Sequence, residues 1–114
     1  RGLGDVYKRQ DEIATARATE AYYEQRRIDT LLGEFSRFTK RRELSEFLVA
    51  MEQHAAGLEG DERAAADEWL TWCRQYIASL DPFARPLAMP TTKPPNYSEI
   101  AEFKQKLGFG RSFF

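Results

Sequence analysis

Apolar residues between Ile28 and Leu58 fall into two stripes that no single helix face can hold. Ile28, Leu31, Leu32, Phe35 and Phe38 recur at spacings of three and four, and so do Leu44, Phe47, Leu48, Met51, Ala55 and Leu58. At about 100° per residue the second set lies nearly opposite the first. Either one helix is gripped from two sides in turn or the chain bends near residues 39–42. Two helical segments, continuous or kinked, are therefore expected. Upstream, residues 11–25 are rich in Ala, Glu and Arg and carry only a thin apolar face. Helix propensity is high there, but such a helix is marginal without a packing partner. Its partner is expected in sequence that precedes this chain.

Downstream, residues 58–61 (Leu-Glu-Gly-Asp) predict a turn, with Gly57 or Gly60 ending one helix in the left-handed conformation and Asp61 capping the next. Ala65, Trp69, Trp72, Cys73, Tyr76 and Leu80 then form one stripe, stopped by Asp81 and Pro82. Packed on the 44–58 stripe it makes an antiparallel helical hairpin with its core at about 40–80, where Trp69, Trp72 and Tyr76 serve as core or partner-facing aromatics. All five prolines fall in residues 82–95, so 81–96 is neither regular helix nor central strand. Pro82, Pro86, Pro90 and Pro94 recur every fourth residue, which does not line one face of a three-residue polyproline helix. With Phe83, Leu87 and Met89 between them, they predict a strap over the hairpin. Asn96 and Glu99 have capping-box spacing. Ile100, Phe103 and Leu107 give a short final helix its face, Gly108 ends it, and Phe109, Phe113 and Phe114 make an aromatic tail over the rest of 97–114. The fold class is all-α: a long N-terminal helix leading into the hairpin within a helical region at 11–80, then the strap and the short C-terminal helix.

The first ten residues change the accounting. Arg1 to Gln10 can be written CGT GGG CTC GGA GAT GTG TAT AAG AGA CAG, which resembles the end of a transposase-type sequencing adapter in one frame. Residues 1–10 are thus expected to be non-native, native sequence to begin at Asp11, and the chain to be a C-terminal fragment of a larger protein. Without Arg1, Lys8, Arg9 and Asp5, 14 basic residues face 17 acidic ones, a net charge of −3. That argues against the whole-domain basic footprint of a nucleic-acid binder. A composition 42% hydrophobic and 31% charged is that of a folded helical chain. No apolar run approaches the ~18 residues of a membrane span, and a single Cys73 excludes an internal disulfide and a multi-cysteine zinc site. The default setting is cytoplasmic, with no membrane partner.

Candidate chemistry is sparse. His54 is the only histidine and has no second His or spaced Cys to form a metal site. Cys73 reads as a small core residue, since a catalytic thiolate needs a basic or helix-N-terminal setting. Glu59, Asp61, Glu62, Asp67 and Glu68 have the spacing of a solvated helix face. No phosphate loop, nucleophile elbow or metal motif is present, so no enzyme activity, cofactor or metal is expected. Arg37, Lys40, Arg41 and Arg42 form the one basic cluster, with Arg26 and Arg27 upstream. It can meet nucleic-acid phosphates, although Glu34, Glu43 and Glu46 lie within helical reach to neutralise it.

The stretch Trp69-Leu70-Thr71-Trp72-Cys73, then Tyr76, Leu80, Asp81, Pro82 and Phe83, resembles the end of a family of uncharacterised bacterial proteins, where a W-L-x-W-A helix leads to D-P-L. Residues 35–44 (Phe-Ser-Arg-Phe-Thr-Lys-Arg-Arg-Glu-Leu) are similar to that family's upstream helix. The chain departs from the pattern at Cys73, Ile77, Ala78 and Phe83. The resemblance implies a helical accessory region attached to an N-terminal helix-turn-helix-like DNA-binding segment outside this chain, and brings no catalytic residue. The expected function is a non-enzymatic interaction or oligomerisation region of a bacterial, metagenomic protein, partnered by the missing N-terminal part or by itself. The alternative is an accessory region touching nucleic acid through Arg37, Lys40, Arg41 and Arg42.

Overall fold

A computed structural model describes residues 2–109. Among the described residues the regular structure is helical throughout: α1 Gly2–Ala55, α2 Gly60–Ser79 and α3 Tyr97–Lys106. The all-α class follows from a sequence without proline before residue 82 and with only Gly33 interrupting 5–56. Helix α1 continues through residues 39–42. The expected tail at Phe113 and Phe114 lies outside the described residues.

Contacts divide the chain into two units, Leu31–Ala88 and Arg1–Thr30 with Met89–Phe114. In the first, the 41–55 face of α1 meets α2. Ala55, Leu70, Cys73 and Ile77 are buried, with Leu44, Leu48, Met51 and Ala66 half-buried around them. Arg41 reaches Asp81 (3.2 Å), Glu52 reaches Arg74 (2.9 Å), and the Ala55 carbonyl accepts from the Arg63 guanidinium (2.8 Å). That carbonyl, in the last turn of α1, also accepts from the Leu58 amide (3.0 Å), so the turn and α2 share it. The turn departs from expectation. Gly60 has the positive φ (+62°), but Glu59 is the N-cap of α2, no side chain caps it, and Asp61 lies within the first turn.

The aromatic stripe also sits differently. Leu70, Cys73 and Ile77 occupy the seam, while Trp69, Trp72 and Tyr76, about 100° further round the helix, stay roughly half exposed. Helical phase sets the two apart: with Leu70, Cys73 and Ile77 turned inward, the aromatics fall at the edge of the seam. The residues expected to hold a strap, Phe83 and Leu87, are exposed as well. What fixes the start of that segment is Asp81, whose Oδ1 accepts from the Phe83 amide (2.9 Å) and pairs with Arg41.

The second unit supplies a partner that the sequence did not disclose. Ala14, Ala18 and Tyr22, four residues apart on one face of α1, are buried. The Tyr22 ring meets Phe103 of α3 edge-on at 5.8 Å, Arg26 pairs with Glu99 (3.6 Å) and Lys104 with Asp11 (3.0 Å). The thin face at 11–25 therefore meets the C-terminal segment of the same chain. Alanines suffice there because close approach, not bulk, covers them. The capping box forms as read: Glu99 N–H donates to Asn96 (2.8 Å) and Asn96 N–H to Glu99 (3.0 Å). Gly108, at φ +88°, follows the C-cap Leu107 and closes α3.

Candidate interaction surfaces

Three surfaces could do chemistry or bind. The first lies on α1 within the Leu31–Ala88 unit, where Leu31, Leu32, Phe35 and Phe38 are 45–64% exposed; Ile28, which the sequence groups with them, belongs to the other unit and is 40% exposed. Helical geometry places them nearly opposite the 44–55 face that meets α2.

The second surface is on α2. Trp69 and Trp72 stack with ring centroids 5.3 Å apart and planes 4° apart, and Tyr76 continues the stack at 5.5 Å and 3°. Offset parallel rings attract each other modestly, so the ladder is ordered without being buried. Beside it an apolar groove of about 350 Å3 is lined by Phe47, Met51, His54, Leu58, Trp69 and Leu70, among others. His54 is the only titratable side chain lining it, and buried Cys73 is not part of it. Among the described residues, no group of three or more His, Cys, Asp or Glu is placed to hold a metal ion.

The basic cluster is the third. Sequence put Arg37, Lys40, Arg41 and Arg42 together, and the helix spreads them around its circumference. Arg41 is committed to Asp81, and the Arg42 guanidinium lies 5.9 Å from the centre of the Phe38 ring. Among the described residues Arg37 and Lys40 form no ion pair, and neither do Glu34, Glu43 and Glu46, which the sequence offered as neutralisers. Two titrations are displaced where α3 meets α1. Glu99 is held below its ordinary carboxylate value, first by the Asn96 backbone amide, then by the Tyr22 hydroxyl and the Arg26 charge. Arg26 is raised, chiefly by its hydrogen bond with Tyr22.

These features define an all-α chain whose distinctive surfaces are apolar and aromatic. No family model matches the chain, and neither a curated protein nor a solved structure matches it. No helix among the described residues is long and apolar enough to cross a membrane.

Proposed function

We propose that this chain is a non-enzymatic interaction and oligomerisation region, built on an antiparallel hairpin of α1 and α2, in a larger bacterial protein. One observation carries the reading: four large apolar side chains, Leu31, Leu32, Phe35 and Phe38, stand exposed on one face of α1 within the Leu31–Ala88 unit. An isolated exposed leucine means little, but a contiguous stripe of this kind marks a protein-binding face. Sedimentation of the full chain, over concentrations up to about 1 mM, the weak limit of specific association, tests it. Concentration-dependent association that Leu31→Glu/Phe35→Glu abolishes is expected. A chain that stays monomeric throughout removes the oligomerisation reading.

The helix-turn-helix-like segment and the adapter origin of residues 1–10 belong to the same proposal. Gly2 to Gln10 are all exposed, as a segment foreign to the fold would be. A genomic copy of the gene with other codons upstream of Asp11 supports the adapter reading, and one with the same codons removes it. A cytoplasmic setting is proposed on the single free thiol, Cys73. A second reading, contact with nucleic-acid phosphates, draws on the unpaired Arg37 and Lys40. Binding to duplex DNA that falls with salt and is lost in Arg37→Glu/Lys40→Glu would favour it. Binding unchanged in that variant would remove it.

A further inference from the structure

The Leu31–Ala88 unit carries a second uncovered apolar face besides Leu31, Leu32, Phe35 and Phe38. It is the groove of about 350 Å3 between α1 and α2, bordered by the ladder of Trp69, Trp72 and Tyr76. The two faces differ in form. The first is one side of a single helix and stands out, whereas the second is a trough between two helices. They match in length, since Leu31 to Phe38 and Trp69 to Tyr76 each span about 10 Å of helical rise.

We propose that the groove receives the 31–38 face of a second copy of this chain, a helix laid in a trough. The proposal rests on the self-association reading above and names what the exposed face binds. Both surfaces belong to the same unit, so the pairing draws on no contact with the other.

Charge favours this occupant. Glu46, Glu62 and Glu68 each lie four residues before Ala50, Ala66 or Trp72, and so border the groove or its ladder. All three are exposed, and none has an ion-pair partner among the described residues. Other carboxylates of the hairpin, Glu52 and Asp67, each hold an arginine, at 2.9 and 3.0 Å. The opposite sign stands on the exposed face. Arg42, four residues beyond Phe38 and in line with it, is exposed and without an ion pair among the described residues. Arg37 adds to the field of that helix, and half-buried Glu34 subtracts from it. Lys40 and Glu43 lie between the two faces and cancel in net charge.

Area sets the strength. The four side chains of the face, with Phe47, Trp69, Trp72 and Tyr76 opposite them, are 44–64% exposed. Each offers on the order of 100 Å2, about 800 Å2 together, and Met51 and Leu58 in the groove add to that. This is the size of a weak, concentration-dependent contact. Head-to-tail pairing leaves one face and one groove free at the ends, so mass grows past the dimer unless the ends close into a ring.

The test is complementation read by sedimentation on the full chain, with far-UV circular dichroism confirming unchanged helix content. Leu31→Glu/Phe35→Glu removes the face, and Phe47→Glu/Trp69→Glu removes the groove through two exposed side chains. Each variant alone should be monomeric, and an equimolar mixture should form a one-to-one complex and stop there. Should the groove variant lose helix, Glu62→Lys/Glu68→Lys replaces it, altering only exposed carboxylates. That variant should weaken association of the chain about tenfold. If the groove variant associates like the parent chain, the proposal is overturned while self-association through the 31–38 face stands. Two monomeric variants whose mixture is also monomeric overturn the head-to-tail pairing. A parent chain that stays monomeric overturns both readings.

Discussion

Replacing Tyr22 probes the contact that holds α3 to α1. Tyr22 is 5% exposed, its ring edge-on to Phe103 with the Arg26 guanidinium 5.1 Å from the ring centre. Tyr22→Ala deletes that ring from a packed site, a change of about 3–5 kcal/mol. A domain this small holds on the order of 5–15 kcal/mol in total, so the variant should lose most of its α3 contact. A gentler perturbation isolates the ring pair. In a double-mutant cycle of Tyr22→Leu and Phe103→Leu, edge-to-face geometry predicts a coupling of about 0.5–1.5 kcal/mol beyond the buried area. Urea unfolding followed by far-UV circular dichroism reads each corner of the cycle. Single effects that add to within about 0.3 kcal/mol would show that the rings do not interact and that α3 is held by other contacts.

Two further outcomes separate buried from exposed faces and neutral from acid conditions. Leu70→Ala, in the seam, should cost about 3 kcal/mol in urea unfolding, whereas Trp72→Ala, half exposed, should cost about 1 kcal/mol or less; equal losses would contradict the burial pattern. Glu99 has a depressed folded-state pKa, so its stabilising share is present above its ordinary value of 4.5 and is lost as pH falls through the lowered one. Protection of the α3 amides, each rate taken relative to the intrinsic rate at the same pH, should therefore fall at acid pH, and Glu99→Gln, which keeps an acceptor for the cap but does not titrate, should flatten that dependence. A wild-type profile identical to that of the variant would count against the proton linkage.

What the sequence made legible was local. The capping box at Asn96 and Glu99 and the closing Gly108 depend on neighbours a few residues apart, and both are present; the cap expected at Asp61 fell instead to Glu59, without a side-chain bond. The opposed stripes at 28–38 and 44–58 were equally readable, because helical periodicity alone sets them apart. Choices between competing faces were not readable. Helix α2 carries two stripes, Leu70/Cys73/Ile77 and Trp69/Trp72/Tyr76, and hydrophobicity favours the aromatic one. The seam took the other, set against Leu44, Leu48, Met51 and Ala55 of α1, a choice made by the pair and not by either helix. The partner of Ala14, Ala18 and Tyr22 lies some eighty residues away in α3, and a face of two alanines and a tyrosine gives little periodic signal. For the same reason the basic cluster looked denser in sequence than on the helix, where Arg37 and Arg42 point to different sides.

Cys73 turns its place in the seam into a clock. It is the only thiol in the chain and is buried between α1 and α2, so a thiol reagent can reach it only when those helices part. Where closing outruns labelling, the ratio of the observed rate to that of an open thiol gives the opening equilibrium of the Leu31–Ala88 unit under native conditions. No introduced probe is needed for the measurement. Because α3 belongs to the other unit, the same rate measured in Tyr22 or Phe103 variants would reveal how far disturbance at one end of α1 travels along it.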